Sequence, residues 1–141
     1  MNYKVFISHG SGKEDTHWAN QIRDKLSENN VDSFLDHHDV GIGNSFRTKI
    51  LTELQSCDEL LCLLTPDSIS RPWIAAEIGA AFVLEKNIVP VTVYMRDEEL
   101  QTGGFLSILD NVSTVSFPDL MNDFDSYVKD IQDRKKDKEN A

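Results

Sequence analysis

Glu59-Leu60-Leu61-Cys62-Leu63-Leu64, followed by Thr65-Pro66-Asp67-Ser68 and then by Ser70-Arg71-Pro72-Trp73-Ile74-Ala75-Ala76-Glu77, is the stretch that decides the fold. From Leu60 to Leu64 every position is apolar. Continuous apolarity over so few residues reads as a strand covered on both faces, as in a parallel sheet. Pro72 then opens a helix at a position proline tolerates, and Ile74, Ile78, Phe82 and Glu85 follow at helical spacing. A strand, a short turn and a helix in that order make half of a βαβ unit.

The same alternation extends in both directions. Upstream lie the strand-like runs Tyr3–Ser8, with Val5-Phe6-Ile7 at its centre, and Val31–Asp36; downstream lie Ile88–Tyr94 and Ser113–Phe117. Helical patterns fill the gaps. Trp18, Ile22 and Leu26 step by four from an acidic start at Glu14 and Asp15. Phe46, Ile50, Leu51 and Leu54 form a second stripe, a weaker helix covers Phe105–Leu109 after Gly103-Gly104, and Leu120, Phe124, Tyr127, Val128 and Ile131 mark the last. Strand followed by helix, repeated along the chain, calls for right-handed crossovers and a parallel sheet. The expected class is therefore α/β: a flavodoxin-like five-stranded parallel sheet of order 2-1-3-4-5 with helices on both faces. Residues 1–132 are expected to form one domain, and Asp133–Ala141, charged and without apolar residues apart from the final alanine, a fraying tail.

Composition narrows the function classes. A chain of 141 residues suits one domain with a proper core. With 14 basic against 24 acidic residues the net charge is −10, a surface that gains nothing from a polyanion, so no nucleic-acid partner is expected. No apolar stretch approaches the roughly 20 residues of a membrane helix, and the opening Met1-Asn2-Tyr3-Lys4 carries no secretory pattern, so no membrane partner and a cytoplasmic location are expected. Cys57 and Cys62 are not spaced as C-x-x-C and read as two reduced thiols, Cys62 in the core.

Several motifs fail on inspection. The loop His9-Gly10-Ser11-Gly12-Lys13-Glu14 misses the phosphate-loop pattern, with Ile7 at the first glycine position and Glu14 in place of Ser/Thr. It is either a plain turn or a substrate loop, since it leaves the carboxyl end of the first strand, where doubly wound sheets bind ligands. Asp36-His37-His38-Asp39 looks metal-like, but adjacent residues of an extended segment point apart and no further cluster completes a site, so no metal is expected. Trp73 and Glu77 stand four apart near the start of the third-strand helix, at the carboxyl edge of the sheet. Either they look into the crevice there, or they are a packed tryptophan and a solvated glutamate. Ala75, Ala76, Gly79, Ala80 and Ala81 are small enough to let this helix lie close to the sheet and hold Glu77 rigidly.

Over about Tyr3–Ile131 the chain resembles a TIR (Toll/interleukin-1 receptor) domain. Val5-Phe6-Ile7-Ser8-His9 resembles the family's opening box. Phe34-Leu35-Asp36 with Gly41-Ile42-Gly43-Asn44-Ser45-Phe46 resembles its second strand and BB loop. Leu63-Leu64-Thr65-Pro66-Asp67-Ser68 with Trp73-x-x-x-Glu77 resembles its third strand and catalytic helix, and Asn87-Ile88-Val89-Pro90-Val91 its fourth strand. Many TIR domains cleave NAD, and the resemblance implies that Glu77 is catalytic, with Ser8, Gly10, Asp36, Phe46 and Trp73 binding the substrate. Some active members carry basic residues where this chain has Gly10-Ser11; Lys13 is the substitute at hand. The implied activity is that of an NAD+ glycohydrolase or cyclase releasing nicotinamide and giving ADP-ribose or a cyclic product, with NAD+ as substrate and no cofactor. The resemblance further implies other TIR domains as partners through the BB loop, about Asp36–Phe46, a homo-oligomer when active, and a role in immune or antiphage signalling. The alternative is a non-catalytic module that recruits other TIR domains.

Overall fold

The computed structural model describes residues 2–35, 44–95 and 112–141, with the side chains of 44–47 outside the description. In chain order these form β1 (Lys4–Ser8), α1 (Lys13–Glu28), β2 (Asp32–Leu35), α2 (Asn44–Ser56), β3 (Glu59–Leu64), a 3-10 turn at Ser68–Ser70, α3 (Pro72–Val83), β4 (Asn87–Thr92), β5 (Val115–Ser116), α4 (Phe117–Asn122) and α5 (Phe124–Glu139). Among the described residues the strands make one sheet in the order β2-β1-β3-β4-β5, every neighbouring pair parallel. This is the flavodoxin-like α/β order expected from the alternation of elements.

Side-chain parity sorts the core. Successive residues of a strand point to opposite faces. Val5, Ile7, Leu61 and Leu63 pack on one face with Ala19, Ile22 and Leu26 of α1 and with Leu120, Phe124, Val128 and Ile131. Phe6, Leu60, Cys62 and Leu64 pack on the other with Ile50 and Leu54 of α2 and with Ile74, Ile78 and Ala81 of α3. All six residues of β3 are buried, which explains the unbroken apolar run. Burial pushes the thiols of Cys57 and Cys62 up to about 11 and about 12, so both are inert side chains of this core.

Helix ends explain the boundaries. Pro72 sits in the first turn of α3 after the extended Arg71. At the other end Glu85 takes a left-handed conformation (φ 57°), with Lys86 N–H donating to Ala81 O and Glu85 N–H to Phe82 O, which is a Schellman closure. Asn30 (φ 61°) follows α1 in the same way.

Several details refine or depart from expectation. The fifth strand is only Val115–Ser116, because Ser116 Oγ caps the N–H of Asp119 and Pro118 starts α4 there. The last helical stripe divides into two helices at Asp123, whose backbone leaves helical geometry (φ −136°, ψ 56°). Phe82 and Leu51 lie outside the core, 57% and 50% exposed, since the buried stripe of α3 runs through Ile74, Ile78 and Ala81 and that of α2 through Ile50 and Leu54. Of the small residues on α3, Ala81 is buried in the sheet-facing core and Ala80 packs against it, whereas a Cβ on Gly79 would meet nothing within 4 Å, so close approach to the sheet does not depend on the glycine. Finally, residues 133–139 are helical. They continue α5 through Glu139 because Arg134 reaches the buried Glu59 and Lys138 pairs with Asp58. The segment Phe105–Leu109 lies outside the described residues.

Candidate functional site

Glu77 falls on the sheet-facing side of α3, in the i, i+3, i+4, i+7 series Ile74, Glu77, Ile78, Ala81, all of them buried. Its side chain is therefore drawn into the layer between helix and sheet and is 2% exposed. A buried carboxylate needs donors. Ser8, the last residue of β1, has the parity of Phe6 and so faces α3; its Oγ donates to Glu77 Oε1 at 2.7 Å in a fully buried bond. Ser8 pairs in register with Cys62 of β3, which puts this contact at the carboxyl edge of the central strands. Trp73 stands one turn before Glu77 and packs half-buried on the α2–α3 side of the core.

The chain beyond Ser8 is held from the opposite face. His9 is 2% exposed, and its Nδ1–H donates to Gly10 O at 2.6 Å, which places the proton on Nδ1. The carboxylate of Asp15, in the first turn of α1, lies against the backbone of Gly10. Thr65, the residue after β3, donates from Oγ1 to Asp15 Oδ2 at 2.8 Å. Thr65 Oγ1 in turn accepts from Ser68 N–H at 3.0 Å, while Ser68 Oγ accepts from Thr65 N–H at 2.9 Å and donates to Leu63 O at 2.7 Å. Burial, the nearby Asp67 carboxylate and Glu14 raise the Asp15 pKa above the ordinary carboxylate value, against the lowering effect of the Thr65 and Gly10 bonds. Asp67 is itself paired with Arg71 at 3.1 Å.

A side chain at Gly10 would displace the Asp15 carboxylate. A Cβ there would lie 2.3 Å from Asp15 Oδ2 and 3.0 Å from Asp67 Oδ2. This loop is therefore lined by two carboxylates, the reverse of a phosphate cradle. Lys13, the substitute suggested by the sequence, is the first residue of α1.

Of the residues singled out in the sequence, Ser8 and Glu77 meet directly, Gly10 follows Ser8 by two positions, and Trp73 shares α3 with Glu77. Phe46 lies in the first turn of α2 with its side chain outside the description, and Asp36 and residues 37–43 of the BB loop lie outside the described residues. His37 and His38 lie there too. Asp15, Thr65 and Ser68 were not singled out. The signal for Asp15 was ambiguous, because an acid in the first turn of a helix is ordinary on charge grounds alone.

A second polar knot lies at the other edge of the sheet. Glu59, the first residue of β3 and fully buried, accepts from Tyr3 OH and Tyr127 OH, each at 2.5 Å, and from Arg134 Nε at 2.9 Å. Burial and the Glu59 charge raise the pKa of both tyrosines, so they stay protonated donors. Beside it a cleft of about 410 Å³ opens between the lower half of β4 and residues 112–114, bordered by Asp119, Asp123, Asp130 and Arg134. It starts at Asn87, the amino end of β4, whereas Ser8 and Glu77 meet at the carboxyl edge. Among the described residues no helix is long and apolar enough to cross a membrane.

Known structures share this architecture. The TIR domain of the Toll-related receptor TRR-2 from Hydra magnipapillata superposes with a TM-score of 0.69 at 20% identity, over 93% of this chain and 99% of that one. The Clostridium botulinum CMP N-glycosidase BcmB superposes at 0.63 with 16% identity, over 88% and 99%. The TIR domains of the activated Roq1 resistosome, which recognises the pathogen effector XopQ, superpose at 0.61 with 16% identity, over 96% and 82%. A comparison with curated proteins found no match. The profile of the TIR domain matches residues 5–131, which is most of the sequence, and the chain belongs to the TIR domain family.

Proposed function

We propose that this chain cleaves NAD+ at the bond between nicotinamide and ribose. The observation that carries the reading is the Glu77 carboxylate, buried at the carboxyl edge of the sheet and oriented by Ser8 Oγ at 2.7 Å. Nicotinamide in NAD+ is a cationic leaving group. When the C1′–N bond breaks, its electron pair stays with nicotinamide, which departs neutral and needs no general acid. Positive charge builds on the ribose, as in other glycosyl transfers with oxocarbenium-like transition states. A fixed carboxylate beside the ribose stabilises that charge without reorganising. Water then bonds to C1′ and releases a proton, giving ADP-ribose, or a nitrogen of the adenine end attacks and gives a cyclic product.

In this reading Glu77 is the catalytic residue and Ser8 aims its carboxylate. Gly10, Asp36, Phe46 and Trp73 contact the dinucleotide, and the BB loop engages a neighbouring TIR domain in a homo-oligomer. That a protein of the same fold is described as a CMP N-glycosidase supports cleavage of an N-glycosidic bond as the reaction class. The setting is cytoplasmic signalling in immunity or defence against phage.

A second reading, a module that recruits other TIR domains without catalysis, is favoured by the exposed apolar side chains Phe82, Val83 and Leu84 at the end of α3 and Leu51 on α2. Incubating the protein with NAD+ over a range of protein concentrations, with products identified by mass spectrometry, separates the two. The proposal expects nicotinamide release that rises more steeply than linearly with protein concentration. Absence of nicotinamide release at every concentration, in crowded solution too, favours the recruiting module.

A further inference from the structure

Two chain segments meet at the site, and one side chain joins them. Gly10 stands two positions after Ser8, and the α3 helix that carries Glu77 is preceded by the connection from Thr65 to Arg71. Both segments could adopt other conformations by themselves, since Gly10 and Gly12 punctuate the first and only three residues of the second form a 3-10 turn. Asp15 links them. It is 4% exposed, and its carboxylate packs against the Gly10 backbone and accepts the Thr65 hydroxyl. The reciprocal Thr65–Ser68 pair, closed onto Leu63 O, carries that constraint into the turn leading to Arg71 and Pro72. Gly10 allows the close approach, since any side chain there would collide with Asp15.

Parity makes the link informative. Ser8 and Glu77 meet on the α3 face of the sheet, whereas Thr65 and Asp15 meet on the α1 face. Asp15 therefore touches neither Ser8 nor Glu77 in the described contacts, yet fixes the backbone that places each of them.

We infer that Asp15 is a positioning residue of this site: by packing against Gly10 and accepting from Thr65 Oγ1 it sets the β1–α1 loop against the β3–α3 connection and so aligns Ser8 with Glu77. The inference rests on the proposed NAD+ cleavage only for its kinetic consequence. Displacement of a preorganised group by a fraction of an ångström lowers turnover more than binding.

The test uses Thr65→Val, which keeps the side-chain shape and removes the hydroxyl, with Thr65→Ser as the conservative rescue and Asp15→Asn as an independent cut. Far-ultraviolet circular dichroism selects the variants that retain the fold. In Thr65→Val and Asp15→Asn, kcat for NAD+ should fall about tenfold or more with KM changed less than about threefold, and Thr65→Ser should recover most of the rate. Independently of any activity, the Ser8 amide and the Glu77 carboxyl carbon should shift in nuclear magnetic resonance spectra of Thr65→Val and return toward the parent in Thr65→Ser. Unmoved Ser8 and Glu77 resonances in the folded variants would overturn the inference, as would unchanged kcat. If the parent cleaves no NAD+, the proposed reaction fails, and the resonances alone decide whether the clasp aligns the pair.

Discussion

Ser8 Oγ donates to Glu77 Oε1 across 69 residues of sequence, tying the last residue of β1 to the buried face of α3. Each residue alone has an ordinary explanation. Their contact does not follow from core packing, because a carboxylate at that position of an apolar stripe is costly unless held. Hydrogen bonds to a charged group contribute about 1.5–3 kcal/mol. Ser8→Ala should therefore retain the fold and lose roughly ten- to a hundredfold in NAD+ turnover, read as nicotinamide release at matched protein concentration. Full activity in Ser8→Ala would show that Glu77 needs no aiming from β1.

The knot around Glu59 is expected to serve stability and not chemistry, since it lies at the amino end of β3. Removing one partner of a buried charge network leaves the others unsatisfied. Glu59→Ala should lower the unfolding free energy by about 3–5 kcal/mol in urea titrations. Ending the chain after Gln132 removes Arg134 and Lys138 and should lower the urea midpoint as well. A truncated protein as stable as the parent would contradict the role assigned to the last turns of α5.

Glu85 closes α3 in a left-handed conformation that glycine adopts without strain. Glu85→Gly should raise stability by about 1 kcal/mol, and it should leave NAD+ turnover unchanged. Thermal unfolding of the two proteins side by side measures this, and a lower midpoint in the glycine variant would contradict it.

Asp15 gives a pH dependence of known sign. Its folded pKa is raised by burial first and by Asp67 and Glu14 next, so between the ordinary carboxylate value and the raised one the folded state holds more protons than the unfolded. Its contribution to stability is complete below the ordinary carboxylate range and is lost as pH rises through the folded value. The stability of the parent minus that of Asp15→Asn should decline from pH 4 upward in matched urea titrations. A difference that grows with pH would contradict the assigned burial.

How far the sequence could be read depended on the range of each interaction. The continuous apolar run of β3 and the strand–helix alternation are local, and they point to a parallel sheet with right-handed crossovers, of which 2-1-3-4-5 is a common order. Glu77 was visible through its spacing of four from Trp73 and the resemblance that pair carries, while its place on the buried stripe Ile74, Ile78, Ala81 emerged only in the structure. Glu59 was not, because it begins an apolar run and its partners Tyr3, Tyr127 and Arg134 stand 56, 68 and 75 residues away. The same blindness hid the end of α5, where Arg134 and Lys138 look like a solvated tail until their carboxylate partners are placed. Asp15 passed as a charge favourable to a helix start, since its burial becomes apparent only once Thr65 and Gly10 close around it.

Glu77→Gln tests the central claim most directly, because it preserves the shape at the end of β1 and removes only the charge. At equal concentrations of folded protein, nicotinamide release from NAD+ by the variant should be about 10²–10³-fold slower than by the parent, with circular dichroism and thermal midpoint nearly unchanged. Equal rates of release from the two proteins would contradict it.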